Sequence, residues 1–141
     1  SLGSMTDINS ALRQWGLKHT YVQTWLPDLG GTNHSTARDM AQILYNIDNP
    51  NFLSNESREK IFDYMGHVHN NRLIAAGLPA GATFLHKTGD IGKMLGDAGI
   101  VYAPNGKKYI VVIFANRPHN SPLGKEFIVK ASQTIYSNLV F

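Results

Sequence analysis

The sequence predicts an α+β fold: an antiparallel sheet of about three strands, with a C-terminal helix on one face and further helices on the other. Two observations carry this. Apolar runs of strand character cluster late, and two of them flank Pro104-Asn105-Gly106-Lys107, an N-G turn that reads as a β-hairpin. Four other segments repeat their apolar residues at the helical period. At 141 residues the chain has the length of one domain, enough for a core of its own.

Taken in order, Ile8, Leu12 and Trp15 share a helix face, and Gly16 is a stop signal. Met40, Leu44 and Ile47 share a second face, with Ala37 and Ala41 beside them. Ser35 or Thr36 can cap that helix, and Asp39 then favours its positive end. A third helix runs from a Ser54 cap to Met65, with Ile61, Phe62 and Met65 inward. The last spans Ser121 to Val140, with Phe127, Ile128, Ala131, Ile135 and Leu139 as its inner face. The strands are Ala82–Thr88, Ala98–Ala103 and Tyr109–Ala115. The third is apolar without alternation, which predicts cover on both faces. Between Thr20 and His34 lies a long loop with Pro27, Gly30 and Gly31. Such loops are often functional, a plain surface connection being the alternative.

Composition narrows the function classes. Charged residues make up only 16% of the chain and the formal net charge is +3. Lys and Arg are scattered without interleaved aromatics, which argues against nucleic acid as a partner. No apolar run reaches the length of a membrane span. Without cysteine there is no disulfide framework and no thiolate metal site. His67 and His69 form H-x-H near a helix end, where they point apart, and no H-E-x-x-H accompanies them. No metal and no cofactor is expected. Trp15 and Trp25 read as core or loop anchors. The opening Ser1-Leu2-Gly3-Ser4 reads as a cloning remnant ahead of Met5 or as native sequence at a cut end.

The stretch with chemical content is His86-Lys87-Thr88-Gly89-Asp90. K-T-G ends an expected strand, and a strand edge offers backbone N–H groups to a developing oxyanion. Lys87 supplies positive potential for a substrate carboxylate, and the Thr88 hydroxyl can donate to the same group. Gly89 lets a substrate approach the backbone. Asp90 follows the glycine and can offer its N–H to the oxyanion; its side chain has a second reading as a turn cap. Lys93 reads as a solvated lysine.

K-T-G is one of three motifs that serine β-lactamases and penicillin-binding proteins combine with S-x-x-K and S-D-N. Its surroundings extend the likeness. Ser57-Arg58-Glu59-Lys60-Ile61-Phe62-Asp63-Tyr64-Met65, Leu78-Pro79-Ala80-Gly81, Asp97-Ala98-Gly99-Ile100, Pro104-Asn105-Gly106 and Thr36-Ala37-Arg38-Asp39-Met40-Ala41 follow in the family's order. From about Met5 to Val140 the chain resembles the C-terminal part of a class A β-lactamase-like or penicillin-binding-protein-like serine hydrolase. The resemblance implies a single domain over residues 1–141 that is a portion of a larger β-lactamase-like one. It implies acyl transfer through an acyl-serine, on a β-lactam or a peptidoglycan-like peptide ending in a carboxylate, outside the cytoplasm. Lys87 and Asp90 would then be catalytic, and Thr88 and Gly89 would bind substrate.

Two departures qualify the likeness. The family's W-E-P-E-L loop stands here as Trp25-Leu26-Pro27-Asp28-Leu29, so the general-base glutamate falls on Leu26. Leucine cannot deprotonate water, which disfavours β-lactam hydrolysis. Second, S-x-x-K and S-D-N would both precede residue 1. Ser57-Arg58-Glu59-Lys60 and Tyr136-Ser137-Asn138 imitate them in the wrong place. The nucleophile is therefore expected from a missing N-terminal segment. Without that segment an open sheet edge would favour pairing with it or a homo-oligomer. The competing expectation is a non-catalytic binding or assembly module built on the same fold.

Overall fold

The computed structural model describes residues 3–140; Ser1 and Leu2 of the opening stretch lie outside them. The α+β architecture is as the sequence predicts. Helices α1 (Met5–Gln14), α2 (Ala37–Asp48) and α3 (Asn55–Gly66) come first. A short 3-10 turn (Ile74–Gly77) leads into strands β1 (Thr83–Asp90), β2 (Met94–Tyr102) and β3 (Lys108–Asn116). Helix α4 (Leu123–Val140) closes the chain. The sheet is antiparallel in the order β1-β2-β3. No helix among the described residues is long and apolar enough to cross a membrane.

The helix starts follow capping chemistry. Ser4 and Asp7 exchange bonds in a capping box at α1. Thr36, rather than Ser35, accepts the Asp39 N–H at α2. Ser54 accepts the Ser57 N–H at α3. Helix α1 stops before Trp15, because Gly16 turns the chain at φ +85°. Trp15 is thus not on the helix's inner face; it lies edge-on against Phe52, ring centroids 5.4 Å apart.

The sheet has a layer on each side. On one face Val101, Ile113 and Ile128 of α4 pack with Leu73 and Ile74. On the other Ile100 packs with Leu44 of α2 and Met65 of α3, joined by Leu85, Ala98 and Val112. Cover on this second face is partial, as the half-buried Ile110 and Val112 record.

Three expectations need correction. Helix α4 seats on Gly124, Ile128, Ser132, Tyr136 and Val140, spaced one turn apart. Phe127 and Leu139, expected inside, are more than half exposed, and Leu123 is exposed with them. Small residues decide this. A Cβ on Gly77 would meet Val129 O at 2.5 Å and Ser132 Cβ at 2.7 Å, so the helix makes its closest approach at Ser132. The larger apolar stripe is left facing outward.

The second correction is the length of β1 and β2. The pairing continues past Thr88 to Gly89↔Gly96 and Asp90↔Leu95. Gly89 and Gly96 thus lie in strand on either side of the turn at residues 91–93, and the Phe114 ring lies over Gly96, where a Cβ would come within 2.8 Å. Third, Asp39 does more than favour a helix end. It is buried and accepts the His19 N–H at 2.7 Å and the Thr20 hydroxyl at 2.8 Å.

Candidate active site

The K-T-G tripeptide lies near the end of an edge strand, with β2 on one side and no strand partner on the other among the described residues. Successive side chains of a strand alternate between faces. Leu85 belongs to the α2–α3 face, so Lys87 shares it, while His86 and Thr88 take the α4 face. Lys87 is exposed, and its ammonium donates to the Thr88 carbonyl. Thr88 is half-buried, and a Cβ added at Gly89 would meet no atom within 4 Å.

Backbone groups at this edge have a definite direction. The Ile91 N–H donates to Met94 O at 3.1 Å, which makes that facing pair a hydrogen-bonded one. Bonded and non-bonded pairs alternate in an antiparallel ladder. Asp90 opposite Leu95 and Thr88 opposite Asp97 are therefore non-bonded pairs, and their N–H and C=O groups point away from β2. The edge beside Gly89 thus presents an outward N–H on Asp90 and an outward carbonyl on Thr88.

The Asp90 side chain caps the turn. Its Oδ1 accepts the Gly92 N–H at 2.8 Å and the Arg117 Nη2 at 2.5 Å. The Gly92 bond, with Arg117 adding to it against some desolvation, holds the carboxyl below its ordinary value. Arg117 also donates to the carbonyls of Gly92 and Ser121. The turn after K-T-G is thereby tied to the segment that starts α4. Lys93 is exposed, as expected of a solvated lysine.

The loop between α1 and α2 closes on itself. Tyr21 and His34 pair by backbone and stack at 4.9 Å. The Asp28 carboxylate accepts the Asn33 N–H at 2.6 Å and the Thr32 hydroxyl at 3.0 Å, and these bonds hold it below its ordinary pKa. Asn33 in turn spans Gln23 and Thr24. Gly31 of this loop lies against Ile91 of the turn after K-T-G, where an added Cβ would come within 2.9 Å of Ile91 Cδ1. Trp25, Leu26 and Leu29 are exposed, so Trp25 is not a core residue. Asp28, two residues beyond Leu26, is occupied with the loop itself.

The look-alike motifs are placed elsewhere. Ser57 is in the first turn of α3, and Lys60 pairs with Glu56 at 2.7 Å. Tyr136-Ser137-Asn138 lies in α4, with Ser137 and Asn138 bonded back to helix carbonyls. His67 stays on its own helix end, with Nδ1 2.8 Å from Asp63 O. No group of three His, Cys, Asp or Glu residues that could hold a metal occurs among the described residues.

Comparison with known proteins fits this geometry. A family model described as the beta-lactamase enzyme family matches residues 1–139. The chain belongs to that family. Among solved structures, this family member is similar to PBP-A at 40% identity and TM-score 0.95, over 99% of this chain and 52% of that one. It is equally similar, at 40% identity, TM-score 0.95 and 99% and 53% coverage, to a leucine-to-glutamate mutant of PBP-A in acyl-enzyme complex with penicillin G. A beta-lactamase from Francisella tularensis shares the fold at TM-score 0.87 and 21% identity, over 99% and 57% of the two chains. The chain spans about half the length of these structures. No curated protein matches it.

Proposed function

We infer that the chain supplies the K-T-G half of an acyl-serine cleft of penicillin-binding-protein type, whose attacking hydroxyl comes from a segment outside these 141 residues. The observation that carries this reading is the outward Asp90 N–H beside an unobstructed Gly89, directly after Lys87 and Thr88 in the same strand. In this reading a serine oxygen bonds to the carbonyl carbon of a β-lactam or of a peptide ending in a carboxylate. The oxyanion that forms takes the Asp90 N–H. Lys87 and the Thr88 hydroxyl hold the substrate carboxylate, and Gly89 leaves room for it. The C–N bond then breaks, and Lys87 helps to pass the serine proton to the departing nitrogen. No metal or cofactor takes part.

The acyl-serine so formed is long-lived, because Leu26 offers no oxygen to orient or deprotonate water. Asp28 is no substitute, since Asn33 and Thr32 occupy its carboxylate. The acyl-enzyme complex of a leucine-to-glutamate PBP-A mutant with penicillin G supports acylation by penicillin in a relative of this chain. The activity belongs outside the cytoplasm, as the family likeness implies.

The partner is the half of the fold that the longer relatives contain and this chain does not span. It covers the exposed stripe of Leu123, Phe127 and Leu139 on α4 and the open edge of β3. The test is a chimera of this chain with the unmatched half of PBP-A, exposed to a fluorescent penicillin. Labelling of the chimera and none of the chain alone supports the reading. An unlabelled, folded chimera contradicts it, and a stable dimer of the chain alone would assign the α4 stripe to a second copy instead.

A further inference from the structure

The edge strand that carries K-T-G buries one side chain completely, and that side chain is polar. Along β1 only His86 is fully buried. Its Nδ1 lies 2.8 Å from Asp97 Oδ1, and Asp97 Oδ2 accepts the Ile74 N–H at 3.0 Å. Ile74 O in turn accepts the Ser132 hydroxyl at 2.8 Å. The Nε2 of His86 is 3.2 Å from the Asn71 side chain, and the Phe84 ring stacks on the imidazole at 4.4 Å. One connected set of bonds therefore links β1, β2, the 3-10 turn and α4. Gly99, facing His86, makes room for it: a Cβ there would lie 2.7 Å from His86 Cβ and 2.2 Å from Leu85 O.

Stability alone does not call for such a cluster. Apolar side chains of the same volume fill a buried site about as well as a charged or polar pair. What they lack is direction, which hydrogen bonds supply. An edge strand, held by a ladder on one side only, is the element that gains most from it. Lys87 is the next residue, on the opposite face, so any shift of β1 at His86 moves Lys87 and Asp90 as well.

We propose that His86, through its bond to Asp97, is a positioning residue that holds the K-T-G strand in the one geometry where Lys87 and the Asp90 N–H converge on a substrate. Its consequence for catalysis rests on the acyl-transfer reading; its hold on the strand does not. His86 touches no substrate. It acts by fixing β1 to the 3-10 turn and, through Ser132, to α4.

Two measurements test this. The first uses the 141-residue chain and follows hydrogen exchange at the Lys87 and Gly89 amides, which face β2. In His86→Leu these exchange at least about tenfold faster while the Val111 and Ile113 amides are unchanged. In His86→Asn, whose amide nitrogen can replace Nδ1 as donor to Asp97, the wild-type rates return. The second uses the chimera with the unmatched half of PBP-A. His86→Leu lowers its acylation rate constant at saturating penicillin by about 10- to 100-fold, with half-saturation little changed, and His86→Asn restores it. If His86→Leu does not fold, Asp97→Asn serves, because His86 and Ile74 bond different oxygens of the carboxylate and the amide replaces one of them with an NH2 donor. A wild-type chimera that is never acylated defeats the acyl-transfer reading and leaves hydrogen exchange to decide the positioning role. A folded His86→Leu chain with wild-type exchange at Lys87 and Gly89 overturns the proposal. So does a His86→Leu chimera acylated at the wild-type rate.

Discussion

Arg117 Nη2 lies 2.5 Å from Asp90 Oδ1, joining the turn after K-T-G to the chain just before α4. The Arg117 side chain is almost fully buried, and two more of its N–H groups donate to the Gly92 and Ser121 carbonyls. Arg117→Ala removes three bonds; the Gly92 carbonyl keeps the Asn120 N–H, while the Ser121 carbonyl loses the Arg117 donor. The expected loss is about 2–3 kcal/mol in urea unfolding. Asp90→Asn costs less, because that carboxylate is half exposed.

Asp39 predicts a pH dependence. Burial opposes its charge, but the bonds from the His19 N–H and Thr20 hydroxyl outweigh that and hold its pKa below the ordinary value. Its stabilising contribution is complete above the unfolded value of about 3.9. It is lost as pH falls through the lower folded value. Asp39→Ala therefore destabilises at neutral pH by about 2 kcal/mol, and the difference from wild type narrows in acid. A constant difference across the acid titration would contradict this.

Neighbouring residues of α4 behave oppositely. Ile128 is fully buried in the core, whereas Phe127 is more than half exposed. Ile128→Ala costs about 2–5 kcal/mol. Phe127→Ala changes the stability of the isolated chain by less than about 0.5 kcal/mol, yet weakens association with the complementary half. Thermal unfolding and a pull-down with that half measure the two effects separately.

Leu26→Glu places a carboxylate at the position to which the resemblance assigns the family's general base. Leu26 is 84% exposed, so the folded chain tolerates the change. In the acylated chimera the substitution shortens the lifetime of the penicillin adduct by about tenfold or more, read from the decay of fluorescent label. An unchanged lifetime would remove Leu26 as the reason for slow hydrolysis.

Much of this was legible in the sequence, for identifiable reasons. Serine and threonine caps, the Asn105-Gly106 turn and the unbroken apolar run of β3 are local signals, and local structure follows them. The face of α4 was not legible. Apolar periodicity favours the larger side chains of Phe127 and Leu139, while close approach of Ser132 to Gly77 and of Gly124 to Arg117 turns the other face inward. Gly96 similarly lies outside the expected strand until the register of β3 places the Phe114 ring over it. Lys87, Thr88, Gly89 and Asp90 were visible as a motif. His86 and Asp97, eleven residues apart, become a pair only through the register of β1 and β2.

The central claim is that Lys87 to Asp90 line one side of an acyl-enzyme cleft whose nucleophile lies on another segment. Mass spectrometry of penicillin-treated protein, mapped to the modified peptide, tests it most directly. The predicted result is an adduct on a serine of the PBP-A half of the chimera, strongly reduced by Lys87→Ala, and none on the 141-residue chain. An adduct on Ser57, lost in Ser57→Ala, or labelling of the chimera indifferent to Lys87→Ala, would contradict it.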